Sequence, residues 1–179
     1  AMVDEIEAEF SDRPVRLIGY SFAGFLAFVL TWELERRGKT PQHLIQIDPN
    51  TNLLPVEGDA PPPQEGAAAK MAALRTACRL APISTPIDYV FCANSFPLPR
   101  RHDVEEWATL AQGGVRVFTL QTSHLAVIYG AWAKVLARTV TGILDGTLSP
   151  DAAMTAALTG DQITQVYAAR DALAANNPV

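Results

Sequence analysis

The chain has 179 residues, of which 49% are apolar, and a formal net charge of −5. This length and apolar content are sufficient for one packed domain, which we place over the whole of residues 1–179. The negative charge argues against a nucleic-acid-binding surface. The sequence contains no uninterrupted apolar run of about 18–20 residues, so it predicts no membrane-spanning helix. The two cysteines, Cys78 and Cys92, show neither metal-ligand nor disulfide-scaffold spacing, so we expect a reducing, cytoplasmic location.

The hydrophobic pattern predicts strands that alternate with helices, after a first helix over Val3–Phe10. Each predicted strand is a short and almost continuous apolar run, which is typical of a mostly parallel sheet covered on both faces. We therefore expect an α/β fold with helices on both sides of about four strands. The predicted strands are Val15–Gly19, Leu44–Asp48, Asp88–Asn94 and Val115–Leu120.

The predicted helices differ in how apolar they are. The helix over Phe22–Arg37 is apolar almost all round, so we expect it to be buried at the centre of the fold and to end at Gly38. The turn Asp145-Gly146 should end another long helix. The remaining predicted helices are Glu65–Leu80, Val104–Ala111, Leu125–Ile143, Ser149–Leu158 and Asp161–Ala174.

The segment Thr51–Thr85 interrupts the alternation of strands and helices. It contains Pro55 and, in a row, Pro61, Pro62 and Pro63. A crossover within the core does not need so much proline, so we interpret this segment as a lid over the strand ends. The alternative is a surface loop without a functional role.

The hexapeptide Gly19–Gly24, Gly-Tyr-Ser-Phe-Ala-Gly, follows the first predicted strand and opens the next helix. A serine at such a turn, with small residues on both sides, is the nucleophile-elbow arrangement. Ala23 stands where the usual pattern has its second glycine, and we expect this change to be minor. A tight turn without catalytic meaning is the alternative.

A serine nucleophile needs a general base, and only three histidines are present. His124 directly follows the fourth predicted strand, at the edge of a parallel sheet where Ser21 also lies. His43 begins the second strand, at the opposite end of the sheet, and His102 lies in a polar loop. We therefore predict His124 as the base.

The base in turn needs an orienting carboxylate, for which there are two candidates. Asp48 ends the second predicted strand and shares the edge with Ser21, whereas residues 94–101 separate Asp103 from the end of the third strand. Position favours Asp48, whose alternative role is a turn or capping residue before Pro49. The chain order is then Ser, Asp, His, as in α/β-hydrolases.

These segments resemble the thioesterase domains of polyketide synthases and nonribosomal peptide synthetases. The resemblance runs from about Val15 to Ile143, and the segment Thr51–Thr85 occupies the position of the family's lid. The motifs that carry it are the hexapeptide Gly19–Gly24, the segment Leu-Ile-Gln-Ile-Asp-Pro around Asp48, and Thr-Ser-His followed by Leu-Ala-Val-Ile-Tyr around His124.

The resemblance implies an α/β-hydrolase-like three-layer fold and an acyl chain held as a thioester on the phosphopantetheine arm of a carrier protein. Ser21 would take the acyl group, His124 would relay the proton and Asp48 would orient His124. The resemblance implies neither a metal nor a bound cofactor of the domain itself. In stand-alone editing thioesterases the acid follows the next strand, where this chain has Asn94-Ser95, so the resemblance favours the product-release type.

One departure from the family concerns the oxyanion hole. The backbone N–H of Phe22 is the expected first donor, but family members carry strands before the elbow strand, and a loop between them supplies the second donor. Only about 14 residues precede the first predicted strand here. The chain is therefore a fragment, half of a split domain, or a minimal version whose exposed edge is covered by its own helices or by a second copy.

Three functions remain open at this point. The first is an active acyl-releasing thioesterase, acting by hydrolysis, cyclisation or transfer. The second is a catalytically impaired module that binds a carrier protein or an acyl chain. The third is a carboxylesterase without a carrier protein.

Overall fold

The computed structural model describes residues 2–49, 81–94 and 103–152, apart from residue 12, together with positions 66, 69, 70 and 73. Several predicted features lie outside the described residues. They are the greater part of the lid, His102, Cys78, the helix Asp161–Ala174 and most of the helix Ser149–Leu158. Among the described residues, no helix is both long and apolar enough to cross a membrane.

The described strands form one parallel sheet in the order β1-β2-β3-β4. Every predicted strand is confirmed to within two residues at each end, and the sheet is parallel throughout. The strands are β1 (Arg16–Tyr20), β2 (His43–Ile47), β3 (Ile87–Cys92) and β4 (Val115–Leu120).

Helices cover both faces of the sheet, so the predicted three-layer α/β architecture is confirmed. The described helices are α1 (Met2–Glu9), α2 (Phe22–Arg36), α3 (Asp103–Leu110) and α4 (Gly130–Leu144). On one face, Phe28 of α2 packs against Trp107 of α3, with the two rings tilted by 51° and their centroids 4.9 Å apart. On the other face, Leu136 and Val140 of α4 pack on Val90 and Phe118. All six residues of β3 are buried between these layers, which explains its continuous apolar run.

The prediction that α2 is buried at the centre of the fold is wrong for one of its sides. Its buried side carries Phe25 and Phe28, but Leu26 on another side is exposed. The reason is that α2 packs on the sheet through one side only. Its other neighbour, α1, has eight residues against the fifteen of α2 and is too short to cover the rest of it. The predicted end at Gly38 is confirmed, with φ of +81° at this glycine.

The predicted helix Leu125–Ile143 is interrupted. A 3₁₀ turn over Ala126–Ile128 comes first, and α4 begins only at Gly130. Between them Tyr129 is extended, with φ of −119° and ψ of 151°, and Gly130 takes a φ of +55°. The apolar periodicity continues across this break, which is why the pattern alone predicted a single helix.

Strand β1 lies at the edge of the described sheet. Helix α1 packs beside it through a small cluster of Val3, Val15 and Leu34, yet Ile18 in the middle of β1 remains 47% exposed. Helix α1 is thus held near the start of β1, and the centre of this strand remains accessible.

An ionic cluster around the buried side chain of Asp88 crosses the sheet at the end away from Ser21. Asp88 of β3 is fully buried and forms two hydrogen bonds with the guanidinium of Arg116 on β4, at 2.6 and 2.9 Å. The Nδ1 atom of His43 on β2 lies 3.2 Å from the same carboxylate. A carboxylate removed from water is tolerated only while such partners are in place.

We predict that Arg116→Met lowers the free energy of unfolding by roughly 2–4 kcal/mol, because the Asp88 carboxylate is left buried with His43 alone. Adding Asp88→Leu to this variant should recover most of the loss, since no buried charge then remains. Urea denaturation of the wild type, the single variant and the double variant measures both effects. Equal stability of the single and double variants would show that the buried charge is not what costs the stability.

Candidate active site

Ser21 stands at the end of β1 in an unusual backbone conformation. Its φ is +55° and its ψ is −127°, which a residue with a side chain rarely adopts. The Ser21 N–H donates to the carbonyl of Ile47 on the neighbouring strand at 3.0 Å, and α2 begins at the next residue. The strand pairing thereby holds a strained turn that presents the hydroxyl above the sheet edge.

Two glycines give the turn the room that it needs. A Cβ atom at Gly19 would lie 2.2 Å from the Ala23 carbonyl oxygen, and a Cβ atom at Gly24 would lie 2.9 Å from Cβ of Pro49. Ala23, which occupies the usual glycine position, is exposed to solvent. Its methyl group therefore fits without a clash, and the close packing falls on Gly24 instead.

Asp48 occupies the equivalent place at the end of β2. Its φ of +40° again lies in the left-handed region, where aspartate and asparagine are tolerated better than most residues. The Asp48 N–H donates to the carbonyl of Val90 at 2.8 Å, and the N–H of Cys92 donates to Oδ1 at 3.4 Å. The residue is only 6% exposed, so the carboxylate is held between two strands and is largely shielded from water.

His124 connects these two residues. Its Nε2 lies 3.0 Å from the hydroxyl oxygen of Ser21, and its Nδ1 lies 2.7 Å from Oδ2 of Asp48. The carboxylate of Asp48 can only accept a hydrogen bond, so a neutral imidazole carries its proton on Nδ1 and donates it to Asp48. Nε2 is then unprotonated and accepts a hydrogen bond from the Ser21 hydroxyl. The structure therefore brings together the three side chains that the sequence selected.

The other candidates from the sequence are not part of this group or are not described. His43 lies at the opposite end of the sheet beside Asp88, as its position in β2 predicts. Asp103 begins α3, where its side chain is not described, and His102 lies outside the described residues. In the described part of the chain, no group of three or more His, Cys, Asp or Glu side chains could hold a metal ion.

Cys92 lies close to Asp48 but cannot serve as a second nucleophile. Burial, together with the neighbouring carboxylate charge of Asp48, raises the pKa of the Cys92 thiol to about 12. The thiolate is the nucleophilic form of cysteine. The Cys92 side chain thus remains a protonated core thiol, and its backbone N–H contributes to holding Asp48.

Tyr20 is a site residue that the sequence analysis did not select. Its hydroxyl donates a hydrogen bond of 2.7 Å to the backbone carbonyl of His124, and its ring stacks on the imidazole with a centroid separation of 4.8 Å. The only sequence signal was its place beside Ser21. A residue at that point of an elbow is not restricted in size as Gly19 is, so no pattern distinguished it.

A family model for the thioesterase domain matches residues 1–91, slightly more than half of the chain. No curated protein sequence matches this chain. Similar solved structures include the NocB thioesterase domain in covalent complex with a fluorophosphonate nocardicin G analog, at 15% identity and a TM-score of 0.61, covering 80% of this chain and 71% of that one. The surfactin-cyclising thioesterase domain SrfTE shows 18% identity and a TM-score of 0.59, covering 80% and 73%.

AB3403, a four-domain nonribosomal peptide synthetase, is also similar, with 14% identity and a TM-score of 0.60. The match covers 79% of this chain and 15% of the synthetase. At these identities the structural likeness establishes the fold, which is that of the α/β-hydrolase thioesterases. Together with the family-model match over half of the sequence, it shows that the chain belongs to the thioesterase domain family, whose members are hydrolases acting on thioesters.

Proposed function

We propose that the protein is a serine thioesterase that releases an acyl or peptidyl chain from the phosphopantetheine thioester of a carrier protein. The observation that carries this proposal is the continuous hydrogen-bond path from Asp48 through His124 to the Ser21 hydroxyl. These contacts, 2.7 and 3.0 Å long, are within the distance that proton transfer to a general base requires. The order of the three groups matches the roles of orienting acid, base and nucleophile.

In the first half-reaction, the Ser21 oxygen attacks the thioester carbonyl carbon while its proton moves to Nε2 of His124. Asp48 stabilises the resulting imidazolium through Nδ1–H. When the tetrahedral intermediate collapses, the carbon–sulfur bond breaks and His124 returns the proton to the departing pantetheine sulfur. The products of this step are an acyl ester on Ser21 and the free thiol of the carrier arm.

In the second half-reaction, His124 accepts a proton from the group that attacks the acyl ester. Water gives the free acid, a hydroxyl within the chain gives a macrocycle, and an amine gives an amide. The new bond to the acyl carbon forms, the bond to the Ser21 oxygen breaks, and the proton returns to Ser21. The same three residues serve all of these reactions, so the acceptor is decided by the shape of the pocket and its access to water.

Stabilisation of the tetrahedral oxyanion is assigned in part to the backbone N–H of Phe22. This residue follows the nucleophile directly and is the first residue of α2, where the helix dipole favours negative charge. In the elbow enzymes a second donor comes from a different loop. Loss of one donor from such a site typically lowers the rate by about 10²–10³-fold.

In this proposal the carrier-protein partner and the type of pathway are inferred from the similar structures. The neighbours include the thioesterase domains NocB and SrfTE and a four-domain nonribosomal peptide synthetase. This supports a thioesterase that acts on a carrier protein within, or together with, a multidomain synthase of polyketide or nonribosomal peptide type.

A second candidate function is a catalytically impaired thioesterase-like module that binds a carrier protein or an acyl chain. It is favoured by the position of β1, which carries Ser21 and forms the edge of the described sheet. Family members have further strands on that side, with the loop that supplies the second oxyanion donor. Reactivity of Ser21 separates the two candidates, because binding alone does not need an activated hydroxyl.

We predict that a fluorophosphonate probe labels the wild-type protein once, at Ser21, as read by intact mass and peptide mapping. Ser21→Ala should not be labelled, and His124→Ala should be labelled at least about 10³-fold more slowly, because the base is lost. The matched control is His43→Ala, which removes the other histidine that contacts a buried aspartate and should keep the wild-type labelling rate. A wild-type protein that takes up no label would favour the impaired module.

We predict that Asp48→Asn lowers the rate of thioester hydrolysis by roughly 10³–10⁴-fold while leaving the melting temperature almost unchanged. Asparagine tolerates the positive φ of this position, but its amide no longer stabilises the imidazolium. Hydrolysis of acyl-pantetheine, followed by thiol release, gives the rate, and thermal denaturation gives the stability. An Asn variant that hydrolyses as fast as the wild type would remove Asp48 from the proposed mechanism.

We predict that an acyl group on a carrier protein is released with a kcat/KM at least about 10-fold above that of the same acyl group on pantetheine, because contacts with the carrier add binding energy. Mass spectrometry of the carrier follows the release. The control substrate is the p-nitrophenyl ester of the same acid. If this oxyester is turned over as efficiently as the carrier-bound thioester, the protein is a carboxylesterase without a carrier partner.

A further inference from the structure

The three groups of the candidate triad are not held in the same way. Ser21 and Asp48 each continue a strand, and each donates its N–H to the neighbouring strand at 3.0 and 2.8 Å. His124 instead lies four residues beyond the end of β4, in the connection to the 3₁₀ turn. The pairing of the parallel strands therefore places the nucleophile and the acid directly, but not the base.

Tyr20 makes contact with both the backbone and the side chain of His124. Its hydroxyl donates to the His124 carbonyl at 2.7 Å, across 104 residues of sequence. Its ring lies 4.8 Å from the imidazole centroid, at an interplanar angle of 22°. One side chain thus contacts both the main chain and the ring of His124, and the stacked ring restricts rotation of the imidazole.

The direction of the hydroxyl contact does not change over the working pH range. Burial, followed by the negative charge of Asp48, raises the pKa of Tyr20. The hydroxyl thus stays protonated, and a backbone carbonyl can only accept. At neutral pH Tyr20 is therefore the donor in this contact.

We infer that Tyr20 is a positioning residue for His124, and that its hydroxyl and ring together hold the imidazole in line between the nucleophile and the carboxylate. This inference rests on the proposed function of those three groups. Because Tyr20 ends the strand that carries Ser21, the same five-residue segment places the nucleophile and restrains the base. A base that is displaced by about 1 Å loses much of its efficiency.

The test compares fluorophosphonate labelling of Tyr20→Phe, Tyr20→Leu and the wild type. We expect Tyr20→Phe, which keeps the ring, to be labelled about 10-fold more slowly, the equivalent of one neutral hydrogen bond. We expect Tyr20→Leu, which loses both contacts, to be about 100-fold slower. The matched control is Tyr129→Phe, which removes a hydroxyl from an exposed tyrosine beyond the 3₁₀ turn and should stay within twofold of the wild type.

The final extent of labelling distinguishes positioning from a loss of structure. If Tyr20 positions the base, every molecule of each variant is eventually labelled once, only more slowly. If Tyr20 merely stabilises the fold, the rate per competent molecule stays at the wild-type value and the labelled fraction falls. That second result, or wild-type rates in both Tyr20 variants, would overturn the inference.

A spectroscopic measurement separates this inference from the proposed function. An imidazole Nδ1–H that donates to a carboxylate gives a strongly downfield proton resonance, which Asp48→Asn assigns by removing it. We expect the resonance to weaken in Tyr20→Phe and to disappear in Tyr20→Leu. If the wild type is not labelled but this pattern holds, the proposed function fails and the positioning role stands. A resonance that is unchanged in Tyr20→Leu overturns the positioning role, whatever the labelling shows.

Discussion

The parallel pairing of β1 with β2 is the constraint on which the candidate site depends. Tyr20 pairs with Ile47 in this register, so Ser21 and Asp48 are the first residues beyond two paired positions. Each then turns sharply with a positive φ and donates its N–H to the next strand. A slip of one residue would send one of the two side chains to the opposite face of the sheet.

The elbow also shows how one strained residue is accommodated by its neighbours. The turn at Ser21 brings the start of α2 so close to β1 that only hydrogen fits at Gly19, and Gly24 has Pro49 against it. Pro49 follows Asp48, so the packing of the elbow and the location of the acid are coupled through one contact. Alanine at position 23 lies outside this contact, which is why the motif keeps its geometry without its usual second glycine.

The sheet carries a histidine beside an aspartate at each of its two ends, and they differ in what surrounds them. At one end, His124 lies between Asp48 and a serine hydroxyl and is partly open to solvent. At the other end, the carboxylate of Asp88 is fully buried and has Arg116 as its main partner, with His43 at a longer distance. No serine hydroxyl forms a hydrogen bond with His43 among the described residues. The first arrangement is suited to proton transfer, whereas the second neutralises a buried charge within the fold.

The sequence by itself determined the fold class, the four strands and the three residues that meet at the sheet edge. It did so because continuous apolar runs identify buried parallel strands, and because Ser21, Asp48 and His124 each follow such a run. The break of the last described helix at Tyr129 was not predictable, since the apolar period continues across it. The role of Tyr20 was equally hidden: its partner is 104 residues away, and nothing in the local pattern links the two positions. Only the tertiary structure decided which side chain holds His124, because a contact between a strand end and a distant loop exists only after the sheet has formed.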